Sequence, residues 1–429
     1  MTSDSAKVDL SAWRVVVEPE REWRQIFEEA WRNHRDVFYD SALHGMDWEA
    51  VRRKYEALLP AVGARSELND VIGDMQGELN VSHEFVGGGY SRFKPPTTPG
   101  MGTLGADLVF DPAAKAYRLA RIFSGDGFDS DSRSPLLAPG LKVKEGDYLL
   151  TINGQPLRAD QDPQALLAEQ AGRVITLQIN EQPSTTGARL IRIKAMESES
   201  AARYHDWVSR NRQYVQRVGG PNLAYLHIPD MGDEGITEFT KYFYANLDKD
   251  GMILDVRYNA GGIISGQILE RLRRVIFEYD QPRYGQPQPY HRTAYLGHAV
   301  VLCNERTSSD GEYFCTGFRA MKLGPTVGTR TWGGFMDVGG FRTIDGGFVS
   351  TPDMGSFTPE GKWLPDGYGF NPDYVVDDDP NAFIAGRDPQ IDRAIALLKD
   401  EIKRNPPRWP KRLAPPSREK AFPTNGRKT

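Results

Sequence analysis

Cysteine is nearly absent: the 429 residues hold two, Cys303 and Cys315. A disulfide framework and a four-cysteine zinc site are thereby excluded, and cysteine poverty fits a reducing compartment. No apolar run approaches the roughly 20 residues of a membrane span. The opening stretch MTSDSAKVDLSAW lacks the basic-then-apolar pattern of a secretory signal, so a cytoplasmic location is expected. Neither charge sign is in large excess. The net charge of −5 gives no electrostatic case for nucleic acid or a membrane as partner. There is no internal repeat. Histidine is scarce too, with His34, His44, His83, His205, His227, His291 and His298 making up all seven.

What is present is an ordinary soluble balance, 39% hydrophobic and 26% charged, in a chain long enough for two to four domains. Residues 1–90 read as a helical subdomain. Trp23, Ile26, Phe27, Ala30 and Trp31 recur at helical spacing, Asp47 is placed to cap a second helix, and Ser66 a third. The third runs into Ser82-His83, and Gly87-Gly88-Gly89 then breaks the chain. Residues 91–197 open on the linker PPTTPG and continue as short β-rich runs, among them DYLLTING with its Asn-Gly turn. This segment resembles a PDZ domain, with Met101–Gly105 where such domains receive a peptide C-terminus. Residues 198–398 alternate strands (LAYLHI, MILDVR, AVVLCN) with helices (ITEFTKYFYANL, ISGQILERLRRVIF, DGEYFCTGFRAM), the pattern of an α/β layer with a largely parallel sheet. Residues 399–429 form a Pro-rich, basic tail expected to be extended or disordered.

Two strand-to-helix turns carry the candidate chemistry. In Asp255–Gly262 a buried strand ends on a glycine pair, whose amides are placed to hold a developing oxyanion. In Asn304–Gly311 a serine projects from a tight turn over a helix N-terminus. Helix capping by Thr307, Ser308 or Ser309 explains that turn equally well. A hydroxyl nucleophile needs a base. His83, after Ser82 and before the glycine run, is the histidine with polar company, but spacing alone does not select it.

The stretches KVDLSAWRVVVEPEREWRQIFEEAWR, ELNVSH, LGADLVFDPAAKAYRLARIF, KEGDYLLTING, DVRYNAGG, YDQPR, NERTSSDG, GTRTWGG and NPD occur in one order over about residues 7–398. In them the chain resembles the catalytic half of the tricorn proteases, relatives of the C-terminal-processing peptidases. The resemblance implies a multidomain α/β fold and a serine peptidase acting on short peptides without a cofactor. It implies Ser309 as nucleophile, His83 as base, Ser82 as its polarising partner and Asp366 as the closing acid. Gly262 and Asp310 match the oxyanion amides, Gly261 belongs to the substrate-binding turn, and Asp280 matches an acidic specificity residue. Cleavage after basic and hydrophobic residues and a hexameric assembly follow from the same resemblance.

The chain departs from the family at three places. Asp366 stands where Glu is usual, and one methylene less shortens the reach by roughly 1.3–1.5 Å. Ser308 replaces a glycine and adds a second candidate hydroxyl. Ala260 replaces another glycine. Asp280 is also placed to pair with Arg283, and the family's propeller repeats are not seen. A Ser/Lys dyad is disfavoured, since Lys322 comes too early and GTRTWGGFMD holds no lysine. The reading from a different class is a non-catalytic peptide- or lipid-binding protein on the same scaffold.

Overall fold

The computed structural model describes residues 14, 16–91, 100–126, 132–407 and 410–415. Residues 7–13 of the family-like N-terminal stretch, most of the PPTTPG linker and residues 416–429 of the tail lie outside these. The chain divides into two compact units, residues 1–94 with 228–429, and residues 95–227.

In the first unit, α1 (Pro19–Val37), α2 (Trp48–Glu56) and α3 (Arg65–Gly77) precede the short strand β1 (Val86–Gly87). Pro19 opens α1 with its φ already helical. Ile26, Phe27, Ala30, Trp31 and His34 form its buried stripe. Trp31 Nε1 donates to Trp48 O at 2.9 Å and Trp48 Nε1 to Trp31 O at 3.0 Å, locking α1 to α2. Asp47 caps α2 through the Ala50 amide at 2.9 Å, as expected. Ser66 does not cap α3, which begins one residue earlier. Glu67 instead takes the Gly63 and Ala64 amides at 2.7 and 3.2 Å.

The second unit is built on an antiparallel sheet. Strands β2 (Ala106–Asp111), β3 (Ala116–Ile122), β4 (Tyr148–Ile152), β6 (Val174–Asn180) and β7 (Arg189–Lys194) pair in that order, with β5 (Gln155–Pro156) on β4. Alternating Ile175, Leu177, Ile179 and Ile191, Ile193 fill its core. Helix α4 (Ser200–Gly219) and strand β8 (Leu223–His227) complete the unit.

Back in the first unit come α5 (Asp233–Tyr244), β9 (Gly251–Asp255), α6 (Ser265–Leu272), the hairpin β10 (Glu278–Asp280) and β11 (Gln288–Tyr290), β12 (His298–Cys303) and α7 (Asp310–Ala320). Strands β13 (Thr326–Gly328), β14 (Met336–Arg342), β15 (Phe348–Gly355) and β16 (Tyr374–Val375) follow, then α8 (Pro380–Ile384) and α9 (Pro389–Arg404). β9, β12, β13 and β16 pair in parallel. β9 is buried along its whole length and β12 along all but its first residue, as a sheet covered on both faces requires. β1, β15 and β14 make a separate antiparallel sheet, and Val349 of β15 joins the core of α1–α3.

Two elements differ from expectation. Helix α6 stops at Leu272 rather than continuing to Phe277, because the Phe277 amide pairs with Tyr290 O at the base of the hairpin. Helix α9 runs on to Arg404, past residue 398. Leu413 then exchanges two hydrogen bonds with the Gln281 side chain, 2.7 and 2.8 Å, so part of the tail is docked. Among the described residues no helix is long and apolar enough to cross a membrane.

Candidate active site

The two turns read from the sequence leave the C-terminal ends of the adjacent parallel strands β9 and β12, and side chains knit them together. Thr307 Oγ1 donates to Val256 O at 2.8 Å, the Tyr258 amide donates to Asn304 Oδ1 at 3.0 Å, and the Ser308 amide to Asn259 O at 2.9 Å. Asp310, the first residue of α7, caps the neighbouring helix by accepting from the amide of Ser265 at 2.9 Å and from its hydroxyl. These bonds fix one turn against the other.

Ser309 sits at φ 51°, ψ −127°, a left-handed conformation costing about 1–3 kcal/mol for a residue with a Cβ. Such strain at a strand-to-helix turn thrusts the hydroxyl outward. Gly261 makes room for it: a Cβ there would lie 2.5 Å from Ser309 Cβ. The Gly261 amide is committed to Asn259 Oδ1 at 2.9 Å. The Gly262 and Asp310 amides have no partner among the described residues; Asp310 follows Ser309, and Gly262 follows Gly261, which lies against Ser309. A Cβ on Gly262 would strike Met231 O at 2.0 Å, so this position too needs glycine.

His83 arrives from beyond α3. Its Nε2 lies 3.1 Å from Ser309 Oγ and its Nδ1 2.9 Å from Ser82 Oγ. Ser82 Oγ donates to Asp366 Oδ1 at 2.5 Å, and Asp366 also accepts from the Ser82 amide at 2.8 Å and the Phe335 amide at 2.7 Å. With the Ser82 proton directed at Asp366, Ser82 Oγ offers His83 a lone pair. That places the imidazole proton on Nδ1 and leaves Nε2 as the acceptor facing Ser309. Asp366 therefore reaches Ser82 despite its short side chain. Ser308 has no such bond to His83 among the described residues, and Lys322 lies past the end of α7.

Burial lowers the His83 pKa, with the Asp366 and Asp337 charges opposing it. Trp332 and Gly334 wall the ring, Trp332 edge-on at 5.6 Å. Glu84, the next residue, is buried with both carboxyl oxygens unpartnered, and its pKa is pushed up to about 8. It lies 3.7 Å from His34 Nε2, and burial lowers His34 to about 4. Near neutral pH both are uncharged, so this contact is no ion pair.

One residue that sequence reasoning missed is Glu312. Fully buried, its carboxylate accepts from the Ser309 amide (3.0 Å), Gly334 amide (2.6 Å), Gly333 amide (2.8 Å) and Thr331 hydroxyl. Burial pushes its pKa up, and those four donors oppose the shift. It ties the Ser309 turn to the loop that walls His83. The Ser-x-x-Glu spacing of a capping box was the available signal. Asp280 is not brought to the tetrad by any contact among the described residues. It lies on β10, 51% exposed, 3.9 Å from Arg292, whereas Arg283 stacks over Tyr284.

Three family models match the chain in order: the tricorn protease C1 domain over residues 19–77, the tricorn protease PDZ domain over 102–198, and peptidase family S41 over 222–376. The chain belongs to the tricorn protease family. Tricorn protease homolog 1 of Streptomyces coelicolor is 35% identical over 95% of this chain and 38% of its own length. The tricorn protease homolog of Saccharolobus solfataricus is 33% identical over 92% and 36%. The crystal structure of the tricorn protease superposes with a TM-score of 0.84 at 31% identity, covering 92% of this chain and 38% of that one. The chain thus spans less than half the length of these tricorn relatives. Among the described residues no group of three or more His, Cys, Asp or Glu side chains could hold a metal ion.

Proposed function

We propose that the chain is a serine peptidase of the tricorn type that hydrolyses short peptides through an acyl-enzyme. The observation that carries this reading is the unbroken relay from Asp366 through Ser82 and His83 to Ser309. His83 Nε2 takes the Ser309 proton as Oγ attacks the scissile carbonyl, and the Gly262 and Asp310 amides receive the oxyanion. His83 then protonates the leaving amine, and water, activated by the same nitrogen, releases the acyl group. Asp366 and Ser82 hold the ring and stabilise its cationic form. Ile263, 90% exposed beside the Gly262 amide, offers apolar surface to the bound peptide.

Preference for basic and hydrophobic residues before the scissile bond, with Asp280 as the basic-side determinant, is part of the proposal, as are a homo-oligomeric, hexameric assembly and a cytoplasmic location. Family resemblance supports them. A non-catalytic binding scaffold needs neither a strained serine nor a base within hydrogen-bond reach of it. Labelling with a fluorophosphonate followed by peptide mapping tests the mechanism: adduct on Ser309, lost in Ser309→Ala, is expected. Adduct on Ser308, or unchanged peptide hydrolysis by Ser309→Ala, overturns it.

A further inference from the structure

The His83 ring is buried, yet two aromatic rings beside it are not. Phe85 and Trp332 stand edge-on to the imidazole, with centroids 6.1 and 5.6 Å away. They are 47% and 46% exposed, so each presents about half its surface to solvent next to the base. Core packing does not need rings left in that position.

A carboxylate belongs to the same rim. Gly334 backs the imidazole closely: a Cβ there would stand 2.7 Å from His83 Cε1 and 2.5 Å from Trp332 Cζ3. Asp337 follows three residues later in β14, which keeps its backbone within about 11 Å of Gly334. Its side chain is exposed and takes only the Val338 amide, at 2.8 Å, with no ion pair among the described residues. The pairing of β14 with β15 shifts register between Asp337 and Val338, and bulges of this kind re-aim side chains next to active sites. After burial, the Asp337 charge is among the influences on both the His83 ring and the Tyr313 hydroxyl.

In the mechanism proposed above, His83 Nε2 passes a proton from Ser309 Oγ to the leaving nitrogen, so it must lie within hydrogen-bond reach of both. The leaving peptide therefore begins at the imidazole, and its first side chain meets the surfaces beside that ring. Exposed aromatic faces attract a guanidinium or ammonium group and cover its aliphatic stem, and an unpaired carboxylate supplies the opposite charge. An acidic side chain would meet like charge there.

We propose that Phe85, Trp332 and Asp337 form a subsite for lysine or arginine as the first residue after the scissile bond. The subsite rests on the peptidase reading and adds a preference on the leaving side, separate from the one assigned to Asp280 before the bond. Asp337 determines the charge preference, and the two rings hold the stem.

The test uses the full chain and fluorescence-quenched peptides identical except after the scissile bond, where arginine, its uncharged isostere citrulline, alanine or glutamate stands. Mass spectrometry of the products fixes which bond is cut. The expected order of kcat/KM is arginine over citrulline over glutamate, with arginine about threefold to thirtyfold above alanine. In Asp337→Asn, which keeps an acceptor for the Val338 amide, the arginine-to-citrulline ratio should fall to about one. In Asp337→Lys the arginine-to-glutamate order should invert. Trp332→Leu should lower arginine and citrulline alike relative to alanine. Equal kcat/KM for arginine and citrulline in the wild type, or an arginine-to-citrulline ratio unchanged in Asp337→Asn, overturns the proposal. So does an Asp337 dependence that follows the residue before the bond instead. Each of these outcomes is read from peptides that are cut, whereas failure of the peptidase reading shows as no Ser309-dependent cutting of any peptide.

Discussion

Ser82 Oγ and Asp366 Oδ1 are joined by a 2.5 Å hydrogen bond across 284 positions of sequence, and that bond decides which nitrogen of His83 is basic. A carboxylate one methylene shorter than the family norm still closes the relay, because it is held by three donors at once.

Asp366→Asn removes the charge and offers Ser82 an ambiguous partner. A fall in kcat of about 10²-fold to 10³-fold is expected, with little change in KM, since the loss is of base orientation. Steady-state kinetics on a peptide ending in Arg, Lys or Phe check it. A variant within twofold of wild type would assign Asp366 to loop structure alone.

The acid limb of the pH–rate profile reports His83, which must be neutral to act. Burial holds its pKa below the ordinary 6.5, so activity should persist below that pH. The Asp366 charge raises the His83 pKa, so residual activity in Asp366→Asn should have its acid limb at still lower pH. A limb moving upward contradicts this electrostatic account.

Gly261→Ala places a Cβ against Ser309 Cβ and displaces the nucleophile. A loss of about 10²-fold or more in kcat is expected from so small a misplacement, along with failure to label with fluorophosphonate. Gly262→Ala, aimed at the Met231 carbonyl, should lower the melting temperature as well.

Glu312→Gln keeps the shape but turns an NH2 group toward one pair of donors, either the Ser309 and Gly334 amides or the Gly333 amide and the Thr331 hydroxyl. Destabilisation of about 1–3 kcal/mol should accompany reduced turnover, read by thermal unfolding and kinetics together. Full activity in Glu312→Gln would show that Ser309 keeps its strained geometry without this anchor.

Glu84 titrates in the folded state at about 8 against an ordinary 4.5. The folded chain keeps a proton that the unfolded chain releases, so stability falls as pH rises through that window, at up to about 1.4 kcal/mol per unit. Glu84→Gln should therefore stabilise the protein at pH 9 and gain little at pH 4.5. Melting-temperature differences that stay constant with pH rule this out.

The periodic apolar stripes of α1 and the buried runs of β9 and β12 were legible because local propensity and burial agree there. Asp47 was legible as a cap for the same reason, while Ser66 was misplaced, since α3 already begins at Arg65 and Glu67 reaches back to the Gly63 and Ala64 amides. The end of α6 was misread because its last residues enter strand pairing with Tyr290, a partner 13 positions away from Phe277. Arg292, beyond the end of β11, rather than Arg283 lies within ion-pair distance of Asp280, a neighbour that no local spacing records.

By itself, the amino-acid sequence determined the helical, PDZ-like and α/β segments, the two glycine-and-serine turns at strand ends, and through family-like motifs the choice of Ser309 and His83. Only the tertiary structure decided that Ser309 and not Ser308 faces His83, that Asp366 reaches Ser82, and that Glu312 anchors the Ser309 amide. Hydrogen bonds act over about 3 Å in space, and these join residues up to 284 positions apart along the chain, where no local pattern records them.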